Sequence, residues 1–245
     1  MLPFLLLALL PTQVPDDPYP VRLDLPAGSG TIVFKAPLGI RKNALGTARR
    51  KAALMLQHAD PDVVERLGAA GLEVAVAPER SRFTDLPDLR PVRGQANLHG
   101  QQLDLVRAVY LPIAPPGRLA PLVAVGEEDV LRLPPLHQPH SQLHHELAHA
   151  VYFDGLTRAQ RDAWVDLYRA HRLQGLFGRQ YATLNPEEFF ARLSEAYFDT
   201  APFFCSREQL QRVSPAAFSF LDRVYDPARA GPPSPWSLFT DPTAR

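Results

Sequence analysis

The sequence predicts an α+β fold in a single domain, a small mixed sheet in its first half and a largely helical second half. Three observations carry that prediction. Short apolar segments bounded by Gly and Pro crowd the chain before about residue 135. From about Ser141 to about Tyr225, by contrast, apolar residues recur at helical spacing, broken near 175 to 185. Finally, 245 residues with 46% apolar and 21% charged side chains, and no internal repeat, suit one globular core.

Each element has its own signature. VRLDLPAG and TIVFKAP alternate on either side of Gly28-Ser29-Gly30, the pattern of a hairpin. Residues 43–57 are helical in pattern, and a second helix begins at Pro61 and closes at Gly71. LEVAVAP then reads as a buried strand. Residues 80–120, rich in Pro, Gly and Arg, read mostly as loop with a strand inside LDLVRAVYLPI, and LVAVGEEDVLRLP (122–134) as one or two strands. The 26 prolines are about twice the usual share near 5%, which favours ordered turns over long elements.

Composition also excludes functions. With 26 basic and 26 acidic residues the chain has no net charge, and nothing in its balance suggests an electrostatic grip on nucleic acid or anionic lipid. Cys205 is the lone cysteine, which rules out an intrachain disulfide and a cysteine-built zinc site; its context, PFFCS, is that of a small buried residue. MLPFLLLALL is too short to span a bilayer and reads as the apolar part of a secretory signal over 1–14, although a basic start and an A-x-A site are missing. The expectation is an exported protein, extracellular or periplasmic, with its domain over 15–228, a proline-rich tail over 229–245 and no membrane segment after signal removal.

The chemistry lies in HHELAHAVYFDG, residues 144–155. On a helix from 141 to 154 ending at Gly155, a suitable residue just past a helix end, Leu143, Leu147, Ala150 and Val151 share the core face. His145 and His149 fall nearly opposite, one turn apart, and project the same way. Glu146 lies close enough to reach a water on a metal held by the pair. Two neutral nitrogens for Zn²⁺ and a carboxylate to take the proton of that water are the reason for the spacing H-E-x-x-H. His137, His140 and His144 just upstream read as solvated or supporting groups rather than a second metal site.

A catalytic zinc usually has three protein ligands. No histidine follows at short spacing, so a carboxylate from a later helix is the better candidate for the third. NPEEFFARLSEAYFDT (185–200) has Asn185 and Pro186 at its start, and is apolar all round except for one stripe: Glu188, Arg192, Glu195 and Asp199. Taken alone, that stripe reads as a solvent edge laced by ion pairs. Beside H-E-x-x-H, it supplies the carboxylate the site lacks.

HELAH followed by YATLNPEEFFA resembles the gluzincin group that includes anthrax lethal factor and the bacterial Pro-Pro endopeptidases, over about residues 143–198. The resemblance implies a zincin-like fold and a zinc-dependent peptidase acting on peptide or protein substrates. It implies Glu188 as third ligand and Tyr181 as the oxyanion donor, beside Glu146, the general base of the motif; Glu195 is the alternative for the third ligand that the stripe itself offers. The family's segment E-[FY]-F-A-E ends in an acid where Arg192 stands here. Glu195, one turn on, is the candidate to support the ligands in that acid's place, with Arg192 beside it. Two other readings stay open: a zinc-containing binding or toxin-like protein with impaired catalysis, and an amidohydrolase that does not cleave peptides.

Overall fold

The computed structural model describes residues 18–96, 100–112, 120–132, 141–175, 181–200 and 205–225. The segment 1–14 read as a signal, His137, His140 and the tail 229–245 lie outside the described residues. Strands β1 (Val21–Ala27) and β2 (Gly30–Ala36) form the expected hairpin, paired from Val21 opposite Ala36 to Ala27 opposite Gly30. Helices α1 (Ala44–Leu56) and α2 (Pro61–Ala69) follow, then β3 (Glu73–Ala77), β4 (Ala108–Leu111) and β5 (Leu122–Gly126). Among the described residues the sheet has five strands in the order β1-β2-β3-β5-β4, with β2, β3 and β5 parallel and the outer two antiparallel.

Why β2, β3 and β5 lie inside is visible in their composition. After the partly buried Glu73, β3 is a run of Val and Ala, and β5 is Leu, Val and Ala up to Gly126, all buried, as parallel strands covered on both faces require. Ile32, Phe34, Val74, Val76, Val123 and Val125 face one large core shared with the helices. Ala75, Ala77, Leu122 and Ala124 face the other way, against Phe83, Leu86 and Leu89. Those three come from two short 3-10 turns, Phe83–Asp85 and Pro87–Val92. The segment expected to be mostly loop therefore closes the second face of the sheet. Close approach also has a sequence cause: Gly68 in α2 lies against the Ala27 backbone, and any Cβ there would strike the carbonyl.

LVAVGEEDVLRLP gives one strand, not two. After Gly126 the chain turns into the short helix α3 (Glu127–Leu131), with three acids in its first turn, where the helix dipole favours them. The second half contains α4 (Gln142–Ala150), α5 (Arg158–Leu173), α6 (Pro186–Tyr197), α7 (Arg207–Val213) and α8 (Pro215–Tyr225). Trp164, Phe189, Phe190, Phe220 and Tyr225 cement these helices, with Trp164 within 5.2 Å of three of the phenyl rings. Among the described residues no helix is long and apolar enough to cross a membrane.

Candidate metal centre

Helix α4 carries the histidine pair where the spacing put it. Leu143, Leu147 and Ala150 enter the core as expected, but so does every other residue from Leu143 to Ala150. The histidine face is not turned to solvent, because α6 packs along it. His144 is likewise buried, near Phe198, rather than solvated; burial pushes its pKa down to about 3 and keeps the ring neutral.

The two ends of α4 depart from the simple pattern. Ser141 occupies the cap position, yet its side chain caps nothing. The first two amides, of Gln142 and Leu143, instead donate to the two carboxylate oxygens of Asp129, each at 3.1 Å. At the other end the helix widens into a π turn over Val151–Gly155. Gly155 is not left-handed there. A Cβ on it would press into Val63 of α2 at 2.9 Å, and its carbonyl accepts from Arg66 Nε at 2.5 Å, so the residue is small for packing.

Helix α6 begins as the sequence indicates. The Asn185 side chain accepts from the Glu188 amide at 2.7 Å, and Pro186 takes the first helical position. Its polar stripe faces α4: Glu188 and Glu195 are buried, the latter completely. Asp199 leaves the stripe, because the helix stops at Tyr197. It lies in the left-handed region at φ 53° and accepts from the Arg207 amide.

Across the α4–α6 contact three donor atoms converge. His145 Nε2 lies 3.2 Å from His149 Nε2, Glu188 Oε2 lies 3.2 Å from His145 Nε2, and it lies 3.7 Å from His149 Nε2. A tetrahedral ion with bonds of about 2.0–2.1 Å separates its donors by roughly 3.3 Å, so this triangle has the size such a cation needs. All three residues are buried, and the group is two neutral-capable nitrogens and one carboxylate. Burial opposes a charged His145, but Glu188 and Glu195 on its two nitrogens outweigh it and raise its pKa to about 10. Burial likewise opposes an ionised Glu188, yet the paired histidines hold its carboxyl well below the usual range.

Behind His145 stands Glu195, not a member of the triangle. Its Oε2 lies 3.2 Å from His145 Nδ1 and accepts from Arg192 Nη1 at 3.0 Å. A proton on Nδ1, donated to that carboxylate, leaves the Nε2 lone pair pointing into the triangle. Arg192 thus steadies and partly neutralises the acid that holds His145. Glu146 is buried beside the group; burial, with Glu188 and Glu195 nearby, raises its carboxyl above the ordinary value. Tyr181 opens a 3-10 turn, Tyr181–Thr183, that leads into α6 and packs on it.

Two neighbours escaped the sequence reading. Tyr110, from the edge strand β4, stacks on the His149 ring at 6.4 Å and donates to Asp154 Oδ2 at 2.6 Å, tying the π turn to the sheet. A lone Tyr in a short strand gives no local signal of such a contact. Asp129 belonged to an acidic run whose role the sequence does not reveal, and Ser141, a usual cap residue at the start of the helix, gives no sign that a distant carboxylate is needed. Cys205 is buried, as its context indicated. No family model matches the chain, and no curated protein does either.

Proposed function

We propose that the protein is an exported zinc-dependent metallopeptidase of zincin-like fold and gluzincin type, cleaving peptide or protein substrates. The reading is supported above all by the buried triangle of His145 Nε2, His149 Nε2 and Glu188 Oε2, whose edges suit a tetrahedral cation. Donors of nitrogen and oxygen with no thiolate, three in number, are the usual holding set of a catalytic zinc that keeps one position open. His145, His149 and Glu188 would hold the ion. When bound, it supplies Lewis acidity, which lowers the pKa of water toward neutrality and polarises a carbonyl.

The rest of the chemistry falls to the chain. Glu146 accepts the proton of the water that attacks the scissile carbonyl and then delivers it to the leaving amine. Glu195 keeps His145 in the tautomer a cation requires, with Arg192 holding Glu195 in place. The Tyr181 hydroxyl donates to the oxygen on which negative charge develops. A Glu146 kept intact next to both histidines argues against a pure binding protein, which has no use for a base there.

The test is a diverse peptide library incubated with wild type and Glu146→Gln, read by mass spectrometry, with zinc content measured in both. Cleavage by wild type alone supports a peptidase and reports its preferences. No cleavage by either, in zinc-loaded protein, favours the binding protein or the amidohydrolase. Equal cleavage by both overturns the assignment of Glu146.

A further inference from the structure

We infer that Asp129 is a positioning residue for the metal centre: by capping α4 it fixes His145, and so sets the grip of the donor triangle on its cation. This rests on the metal reading above and adds to it a residue outside H-E-x-x-H and outside α6. The first amides of a helix have no partner within it, and an anion there is favoured by both hydrogen bonding and the dipole. In α4 the cap residue Ser141 leaves that task undone, and Asp129 performs it with both oxygens, on the amides of Gln142 and Leu143.

The carboxylate comes from α3, whose three acids have separate targets. In α3, Glu127 accepts from the amides of Arg41 at 2.7 Å and Glu79 at 3.0 Å. Glu128 is clasped by the Arg107 guanidinium, which also donates to the carbonyls of Ser81 and Pro78 at 2.9 Å each. The run GEEDVL therefore places three buried acids on three different targets, and only Asp129 reaches the helix of the histidines. Lys51 of α1, buried nearby, supplies compensating positive charge.

The consequence for His145 follows from its place in the helix. Its amide donates to the Ser141 carbonyl at 3.1 Å, the first bond within α4, so its imidazole rides on the turn that the cap holds shut. The other two donors are fixed elsewhere. Glu188 follows the Asn185 cap, and the helix end beyond His149 is held by Arg66 on Gly155 and Tyr110 on Asp154. Losing Asp129 thus moves one donor against two that stay. A site of this kind tolerates only about 0.5 Å of such movement.

The experiment compares full-length Asp129→Ala, Asp129→Asn and Glu127→Gln with wild type. Zinc affinity is measured by competition with a chromophoric chelator, far below each unfolding midpoint, and the visible spectrum is recorded with cobalt(II) in place of zinc. Asp129→Ala is expected to bind zinc about 10- to 100-fold more weakly, the loss typical of removing a group that orients a ligand. Its cobalt bands should shift. Asp129→Asn, still able to accept one amide, falls in between. Glu127→Gln loses folding stability with zinc affinity and cobalt bands unchanged. Should Asp129→Ala fail to fold, Asp129→Asn against Glu127→Gln decides. Equal zinc affinity in all variants overturns the proposal, and so does an equal loss in the Asp129 and Glu127 variants, which would mean general softening. Wild type that binds no zinc brings down the metal reading itself, a different result from either.

Discussion

Lys51→Met should change how stability depends on pH, by an amount the structure allows to be worked out. Lys51 is buried in α1 and its Nζ has no hydrogen-bond partner among the described residues. Burial, resisted by the charge of Asp129 and reinforced by that of Arg132, pushes its pKa down from 10.5 to about 8. The sign follows from the protons bound. Below pH 8 the folded and unfolded chains both hold the proton, and the folded state bears the full cost of a buried ammonium. Between about 8 and 10.5 the folded chain has released it while the unfolded chain keeps it, so stability rises with pH. At 1.36 kcal/mol per pH unit the full cost is about 3 kcal/mol, of which about 2 kcal/mol is relieved between pH 7 and 9.5. Urea unfolding of wild type and Lys51→Met at those two pH values measures it. The wild type should gain about 2 kcal/mol more than the variant over that interval. Parallel behaviour of the two proteins would refute the reasoning, because it would mean that Lys51 is hydrated or paired in the folded protein.

The metal centre gives four further expectations. Glu146→Gln should keep its zinc and lose turnover by about 10²- to 10⁴-fold, as removal of a general base does; loss of zinc in atomic absorption would contradict the role. Glu188→Ala, which deletes one corner of the triangle, should weaken zinc binding beyond the roughly 10- to 100-fold typical of groups behind a ligand, and chelator competition reads this. Glu195→Gln should fall within that 10- to 100-fold range, since His145 loses the carboxylate on its Nδ1; an unchanged affinity would show that Glu195 does not orient the ring. Tyr181→Phe should lower kcat by about 10²- to 10³-fold with zinc content unchanged, and a parallel loss of zinc would sink its role as oxyanion donor.

Local chemistry was enough for much of this molecule. The Gly28-Ser29-Gly30 hairpin, the helix opened by Pro61, the cap at Asn185 and the shared direction of His145 and His149 depend on a few neighbouring residues and on fixed backbone periods, so the sequence alone determines them. Periodicity also isolated the stripe of Glu188, Arg192 and Glu195. What it could not decide was what covers that stripe, because a helical face is defined only relative to its own axis. The packing of α6 on α4 decided it, turning a plausible solvent edge into a buried contact. That packing sets Glu188 on the Nε2 side of the histidines and Glu195 on the Nδ1 side. The same holds where the reading failed. LVAVGEEDVLRLP reads as one or two strands, Gly155 as the residue just past a helix end, and GEEDVL, with Asp129 in it, has no role that its neighbours reveal. Each was decided by atoms from distant parts of the chain: the Arg107 guanidinium on Glu128, the α2 side chain of Val63 against Gly155, and the first amides of α4 on Asp129. Through-space partners of this kind leave no period in a sequence, and only the tertiary structure supplies them.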